Sequence, residues 1–311
     1  MPRKIKIVTS SFATFENTHP PFNIHPPKPE ENVALARQII ETAISYQPDV
    51  IVLPETFKFT GIPLAMVDEI AEPVPGPTFN LLSDLAKQGK THIIAGHMVK
   101  EDGKLFNKAL IIGRNGDLAG SYIKKYPVED EIRAGIVPGS SAPVFNLDFA
   151  CIGVSVCFDL NWPELWQSFA DQQIEMAFWV SAYEGGFPLQ SYAWQHHYPI
   201  ITSVQPYHAR VIDLDGRILC STSRWSRIAF CEMNLDRAVF HTDLQMDKIQ
   251  KIQKQYGSGI KVKTYTEEHL FILENEVPGK TIQDIIKEFD LITYSDYIAR
   301  CTDFRAKYLN Q

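Results

Sequence analysis

The arrangement of short apolar runs along the chain limits the folds that it can adopt. Runs at residues 4–10 and 49–55 are separated by a segment, 31–46, whose apolar residues recur at helical spacing. Between residues 92 and 123, however, three strand patterns follow one another with only turn residues between them. Because a doubly wound sheet requires a helix between parallel strands, this order predicts an α/β fold with two facing sheets and helices outside.

The length of the chain and its later pattern suggest how it is organised. The 311 residues are enough for one large domain or two medium ones. After Asp236 the pattern changes to a polar helix, a short strand and a second helix, and no convincing linker separates them from the rest. We therefore predict a main domain over residues 1–240 and a C-terminal extension over residues 241–311 that packs on the same domain.

The composition restricts the partners and the compartment. A net charge of −7 and a pI near 5.7 argue against nucleic-acid binding, which usually requires a basic face. No apolar run reaches the roughly 18 residues of a membrane span, and the first ten residues are typical of a strand and not of a signal peptide. The five cysteines are odd in number and match no zinc or redox motif. We expect a cytoplasmic protein with free thiols and with no nucleic-acid or membrane partner.

Three reactive side chains follow predicted strands. Glu55 comes directly after a buried run, at the end where α/β folds place ligand-facing residues. Lys124 and Lys125 end another strand, and alternation puts their side chains on opposite faces, so at most one points to a shared site. Cys157 lies between a buried strand and a predicted helix start. A turn of this kind can expose a thiol beside a free backbone N–H group.

Each of these residues also has a purely structural interpretation. Glu55 fits a solvated loop carboxylate, and the lysine pair fits a solvated surface. Cys157 fits an inert core thiol, because free cysteine is among the most buried residue types. The helix that follows is expected to begin with Asn161 as its N-cap and with Glu164 three residues further on, as in a capping box.

Taken together, the three residues and their contexts are far more specific than any one of them. The order of Glu in "VLPE", Lys in "YIKK" and Cys in "VCFDLNWPE" resembles the nitrilase superfamily of carbon–nitrogen hydrolases. The resemblance extends over about residues 4–236 and includes "GRNGDLAGSYIKK" and "RVIDLDGRILCST". It implies a four-layer α-β-β-α sandwich that pairs into a homodimer or a higher homo-oligomer, and it implies no metal and no organic cofactor.

The resemblance also implies roles for individual residues. Glu55 matches the catalytic glutamate, and Cys157 matches the nucleophile. Lys124, the third residue of Tyr-Ile-Lys, matches the catalytic lysine better than Lys125 does. For the second glutamate that the family often carries, Glu131 is preferred on its spacing and Glu129 stays open.

Chemical requirements agree with these roles. A thiol is only slightly ionised at neutral pH, so a base such as Glu55 must take its proton before it attacks carbon. The negative oxygen that forms then needs donors, which the Lys124 ammonium and the backbone N–H of Phe158 would supply. The nucleophile motif here is Cys-Phe-Asp and not the Cys-Trp-Glu of many nitrilases, which favours an amide or carbamoyl substrate over a nitrile.

The segment at residues 181–194 follows the first predicted strand after Cys157 and is the expected wall of the substrate pocket. Tyr183, Glu184 and Phe187, together with Trp162, are predicted to contact the substrate, although aromatic residues there equally fit core packing or a dimer contact. The predicted function is a thiol hydrolase that cleaves a non-peptide carbon–nitrogen bond of a small molecule through a cysteine thioester and releases ammonia or an amine. Two alternatives are a catalytically silent scaffold that acts through a partner, and a transferase that passes the acyl group to an amine.

Overall fold

A computed structural model describes residues 3–13 and 27–309 of the chain. The described residues divide into two compact units. The larger unit lies within Lys6–Cys231, and the smaller one comprises residues 3–5 and 232–309. The predicted packing of the extension on the main domain stays a prediction.

Fifteen strands and nine α-helices are found in the described residues. The strands are β1 Lys4–Ser10, β2 Val50–Leu53, β3 His92–Glu101, β4 Lys104–Ile112, β5 Leu118–Ile123, β6 Val144–Asn146, β7 Cys151–Val156, β8 Met176–Ser181, β9 Ile200–Val204, β10 Arg210–Ile212, β11 Ile218–Ser221, β12 Ile228–Asn234, β13 Arg237–His241, β14 Ile260–Tyr265 and β15 Leu270–Asn275. The helices are α1 Pro29–Ile44, α2 Val67–Ile70, α3 Pro77–Gly89, α4 Glu129–Arg133, α5 Pro163–Asp171, α6 Phe187–His196, α7 Met246–Tyr256, α8 Ile282–Glu288 and α9 Tyr294–Leu309.

Two six-stranded sheets form the body of the larger unit. The first has the order β12-β1-β2-β3-β4-β5, and the second has the order β11-β10-β9-β8-β7-β6. In each sheet three neighbouring strands run parallel, β1 to β3 in the first and β7 to β9 in the second. Antiparallel pairing adds β4 and β5 to the first sheet, and β6, β10 and β11 to the second. All four residues of β2 are buried, as its continuous apolar run predicts for a strand covered on both faces.

The two sheets face each other, and helices cover their outer surfaces. The hydroxyl of Ser203 on β9 donates to the carbonyl of Ser10 on β1 over 2.7 Å, which joins the sheets directly. Helices α1 and α3 bury residues such as Ile39 and Leu82 against the first sheet. Helices α5 and α6 bury residues such as Phe169 against the second sheet. The prediction of a four-layer α-β-β-α sandwich is therefore confirmed.

The smaller unit has its own antiparallel sheet, with the order β13-β15-β14. Its core includes Phe240, Phe271 and Ile285, from two strands and helix α8. Thr281 caps α8, because its hydroxyl accepts from the Asp284 N–H over 3.2 Å and the Asp284 carboxylate accepts in return from the Thr281 N–H over 2.8 Å.

Over residues 3–13 and 27–309, no helix is both long enough and apolar enough to span a membrane.

Candidate active site

Glu55 is a buried carboxylate that follows β2, and only 3% of its surface is exposed. One of its oxygens accepts hydrogen bonds from Lys124 Nζ at 2.9 Å and from Asn107 Nδ2 at 2.8 Å. The other oxygen accepts from the backbone N–H of Ala182, which follows β8, at 2.8 Å. Three donors therefore compensate the burial of this carboxylate and fix the direction in which it points.

Glu131, in the short helix α4, is the second buried carboxylate. It accepts from Lys124 Nζ at 2.7 Å and from Asn107 Nδ2 at 2.8 Å. Glu129, two residues earlier, is exposed and pairs with Arg133 on the helix surface. The fold therefore brings Glu131, and not Glu129, into contact with Lys124.

Lys124 is 1% exposed and lies between the two carboxylates, whereas the ammonium of Lys125 lies 5.3 Å from the centre of the Tyr126 ring. Burial by itself disfavours the charged form of Lys124. The neighbouring Glu55, Cys157 and Glu131 outweigh that cost and raise the pKa of the ammonium, so it stays charged. Two of its three N–H groups are used by the carboxylates, which leaves the third for another acceptor.

Cys157 follows β7 and begins a 3₁₀-helix, Cys157–Asn161, with a backbone φ of +50°. This left-handed conformation is costly for a residue with a side chain, and it persists where the surroundings hold it. The Trp179 indole N–H donates to the Cys157 carbonyl over 3.0 Å and provides part of that restraint. Phe158 is the second residue of the 3₁₀-helix, and N–H groups in a first turn have no acceptor within the helix.

The electrostatic environment of Cys157 keeps its thiol protonated at rest. Burial raises the pKa of the thiol, the charge of Glu55 raises it further, and Lys124 opposes both. A base must therefore take the thiol proton before the sulfur can act as a nucleophile.

Asp159 holds the turn beneath Cys157. Its buried carboxylate accepts from the N–H groups of Val156 at 2.9 Å and Tyr126 at 2.8 Å, and from the Tyr122 hydroxyl at 2.7 Å. Burial raises the pKa of Asp159 to about 6, although these hydrogen bonds lower it. These bonds join the turn that carries Cys157 to the segment that follows Lys124.

The prediction that Asn161 caps the next helix was wrong. Helix α5 begins at Pro163, with Trp162 as its N-cap residue, and no side chain caps it. Asn161 instead ends the 3₁₀-helix, where its side-chain amide donates to the Phe158 carbonyl over 3.1 Å. The extra 3₁₀ turn moves the start of the helix beyond the asparagine.

The backbone around Glu55 is held by two close contacts. Gly96 on β3 has no side chain, and a Cβ atom at that position would lie 2.3 Å from the Cα of Glu55. On the other side, Gln205 Nε2 donates to the Glu55 carbonyl over 2.9 Å. The loop that carries Glu55 therefore lies directly against β3, which only glycine permits.

The side chains of Glu55, Glu131, Lys124 and Cys157 border one cavity of about 260 Å³. Its polar lining combines both buried carboxylates, the ammonium, the thiol and two uncharged groups: Glu55, Glu131, Lys124, Cys157, Thr56 and Gln205. The predicted thiol, carboxylates and ammonium thus lie around the same space.

The four residues predicted to bind substrate lie outside this cavity's lining. Tyr183 packs edge-on against Trp179, with ring centres 5.3 Å apart, and Trp162 stacks on Tyr126 at 3.9 Å. Burial, followed by the charges of Cys157 and Glu55, raises the pKa of Tyr183 to about 12. Phe187 is 76% exposed, and Glu184 is half-buried. Substrate binding by these four residues stays a prediction.

Asn107 on β4 was missed by the sequence analysis. It is fully buried, and its amide nitrogen donates to both glutamates. The signal that could have revealed it is an uncharged polar residue within the apolar run "LFNKALIIG", because a buried amide in a core strand needs polar partners.

A double-sheet sandwich with a thiol, an ammonium and two carboxylates around one cavity defines a site suited to acyl transfer by a cysteine nucleophile. The comparisons with known proteins agree with that class. The carbon-nitrogen hydrolase family model matches residues 20–240, and the chain belongs to this family. The resemblance to the nitrilase superfamily is thereby confirmed.

Curated relatives include omega-amidase NIT2-A from Xenopus laevis, which is 28% identical over 166 residues, or 50% of this chain and 60% of that protein. The chain thus spans about 60% of the length of such relatives. A deaminated glutathione amidase from Synechocystis is 27% identical over 242 residues, which cover 68% of this chain and 89% of that protein.

Two solved structures share the fold at a TM-score of 0.64. Nit3 from Saccharomyces cerevisiae, a member of branch 10 of the nitrilase superfamily, is 18% identical and covers 82% of this chain and 94% of its own. A double mutant of the amidase from Nesterenkonia, in complex with acrylamide, is 15% identical and covers 82% of this chain and 97% of its own.

Proposed function

We propose that this protein hydrolyses the amide bond of a small organic molecule through a thioester on Cys157. The observation that carries the proposal is the shared cavity of Glu55, Lys124 and Cys157, in which the ammonium lies 2.9 Å from the carboxylate. Membership of the carbon-nitrogen hydrolase family supports hydrolysis of a carbon–nitrogen bond.

In the proposed reaction, Glu55 takes the proton of the Cys157 thiol, and the thiolate attacks the amide carbon. The oxygen that becomes negative is bound by the third N–H of Lys124 and by the backbone N–H of Phe158. Glu55 then gives its proton to the nitrogen, the carbon–nitrogen bond breaks, and ammonia or an amine leaves. Water, activated by Glu55, cleaves the thioester and restores the thiol.

Glu131 and Asn107 take no part in bond breaking in this proposal. They hold Lys124 and Glu55 in position, since each contacts the groups that do the chemistry. A site with two carboxylates and one ammonium buried together is costly to keep. A catalytically silent scaffold would have no use for these buried charges, so their presence together favours an enzyme.

An amide is preferred to a nitrile on the Cys-Phe-Asp motif and on the amidase names of several relatives. A carbamoyl substrate uses the same steps. Transfer of the acyl group to an amine would share the thioester and differ only in the final acceptor. The homodimer and the cytoplasmic location stay predictions.

Replacing Glu55 by glutamine tests the assignment of the base. We expect Glu55→Gln to lower the rate of amide hydrolysis by about 10²- to 10⁴-fold, because the thiol proton has no acceptor. The same change removes the carboxylate charge that raises the pKa of Cys157. The rate at which iodoacetamide alkylates Cys157, measured at pH 8.5 by peptide mass spectrometry, should therefore rise, because a larger fraction of the thiol is ionised.

Glu129→Gln is the matched control, since Glu129 is exposed and pairs with Arg133 in its own helix. It should change neither measurement. Hydrolysis at the wild-type rate in Glu55→Gln would refute the base, and an unchanged alkylation rate would refute the electrostatic coupling.

A further inference from the structure

We infer that the acyl group of the substrate is small, uncharged and apolar, and that a second carboxylate on the substrate is rejected. This inference rests on the proposed function and assigns the class of amide that the same cavity accepts. The inference depends on the apolar part of the cavity lining, on the charges around the cavity and on the volume of the cavity.

Part of the cavity lining is apolar and is called the apolar wall here. It consists of aliphatic, aromatic and thioether groups of Phe59, Ile62, Leu64 and Met98. The lining also includes Val128 and Ala182, whose backbone N–H groups donate to Glu131 and Glu55. Phe59 and Met98 are nearly fully buried and belong to a hydrophobic cluster with Leu105 and Ile136, against which Leu64 packs. This wall is therefore the exposed edge of a packed core and is already formed without a ligand.

The charges around the cavity disfavour an anion. Two carboxylates, Glu55 and Glu131, face one ammonium, that of Lys124, so the charged groups carry a net charge of −1. Among the described lining residues, Lys124 is the single cation, and two of its N–H groups already bind these carboxylates.

Lysines adjacent in sequence to lining residues are directed elsewhere. Lys58 donates to the Ile70 carbonyl at 3.2 Å and pairs with Glu72. The ammonium of Lys125 lies over the Tyr126 ring. A substrate carboxylate would thus lose water against the apolar wall, it would find no unpaired cation among the described lining residues, and it would face two like charges.

The volume restricts the size of the acyl group. About 260 Å³ is below the roughly 300–1,000 Å³ of pockets that enclose drug-sized ligands. A short aliphatic chain on the amide carbon fits such a space, and its burial against the wall contributes binding energy in proportion to the apolar area covered.

The test compares three amides of similar length on the wild-type protein, with ammonia release as the readout. They are 5-methylhexanamide, the carboxylate glutaramate of nearly the same shape, and 5-aminopentanamide, which ends in an ammonium. We expect kcat/KM for 5-methylhexanamide to exceed that for each charged amide by at least about tenfold, since the wall offers neither charge a partner.

A variant extends the test to the wall itself. Ile62 is half-buried in the lining, and Ile62→Lys places a cation there, whereas Ile132 is 52% exposed outside the lining. Ile62→Lys should raise the glutaramate to 5-methylhexanamide ratio of kcat/KM by at least about fivefold, and Ile132→Lys should leave it unchanged.

Each outcome decides one of the two claims. Preference for glutaramate or for 5-aminopentanamide in the wild type would overturn the inference and leave the proposed hydrolysis standing. Hydrolysis of none of the three amides would overturn the inference, and a lack of both hydrolysis and acylation of Cys157 across a wider panel of amides and carbamoyl compounds would overturn the proposed function as well. An unchanged ratio in Ile62→Lys would show that the charge of this wall does not select the substrate.

Discussion

Cys157→Ala is expected to hydrolyse amides at least about 10⁴-fold more slowly than the wild type, because no other nucleophile can form the thioester. The cavity would lose one sulfur atom, and the ion pairs of Lys124 with Glu55 and Glu131 do not involve that atom. The folded state should therefore be retained. Ammonia release and thermal unfolding, measured on the same preparation, check both expectations.

Cys301→Ala provides the matched control, because Cys301 is an exposed free cysteine in helix α9. It should hydrolyse amides at the wild-type rate and should still be alkylated at Cys157. Substantial hydrolysis by a well-folded Cys157→Ala protein would refute the nucleophile assignment.

Lys124→Met should reduce both activity and stability. The neutral side chain has a similar length but leaves two buried carboxylates without their cation, which we expect to cost about 3–5 kcal/mol of the free energy of unfolding. Loss of an oxyanion donor should lower kcat by about 10²- to 10³-fold. Lys125→Met changes the neighbouring lysine, whose ammonium lies over the Tyr126 ring, and should have little effect on either quantity.

A double variant separates these two effects of Lys124. Lys124→Met with Glu131→Gln removes one positive and one negative charge, so most of the lost stability should return. The activity should not return, because the donor to the developing oxyanion is still missing. Recovery of the wild-type rate in the double variant would show that Lys124 serves only to neutralise the carboxylates.

The sequence predicted the fold and the reactive residues for related reasons. Continuous apolar runs such as that of β2 mark strands buried on both faces, and reactive side chains follow directly after such strands. Glu55 after β2 and Cys157 after β7 therefore lie where a strand pattern alone can locate them. Strand alternation also excluded one of the two lysines, and the buried one is Lys124.

Other parts of the site depend on contacts that the sequence does not encode locally. The amide of Asn107 reaches Glu55 and Glu131 only because β4 pairs with β3 and β5 in a particular register. The apolar wall comes in part from two 3₁₀-helices, Phe57–Phe59 and Leu64–Met66, which are too short to show a periodicity in the sequence. The aromatic segment after β8 was easier to recognise in the sequence than these contacts. In the described lining of the cavity, however, this segment contributes only Ala182.

Helix α9 shows the same limit outside the site. None of its 16 residues is buried in the described structure, and its large apolar residues, such as Ile298, Phe304 and Tyr308, are exposed. The sequence analysis did not predict this helix, whereas it did predict α7 and α8, which bury residues such as Ile252 and Ile285.

The central claim is that a carbon–nitrogen bond breaks by transfer of an acyl group to Cys157. Acid quenching of the wild-type protein during turnover of 5-methylhexanamide, followed by peptide mass spectrometry, tests it directly. The account predicts a mass increase equal to the acyl group less one hydrogen, located on Cys157 and lost again when the substrate is exhausted. Turnover by the wild-type protein without any acylated protein, or an acyl group on a different residue, would contradict it.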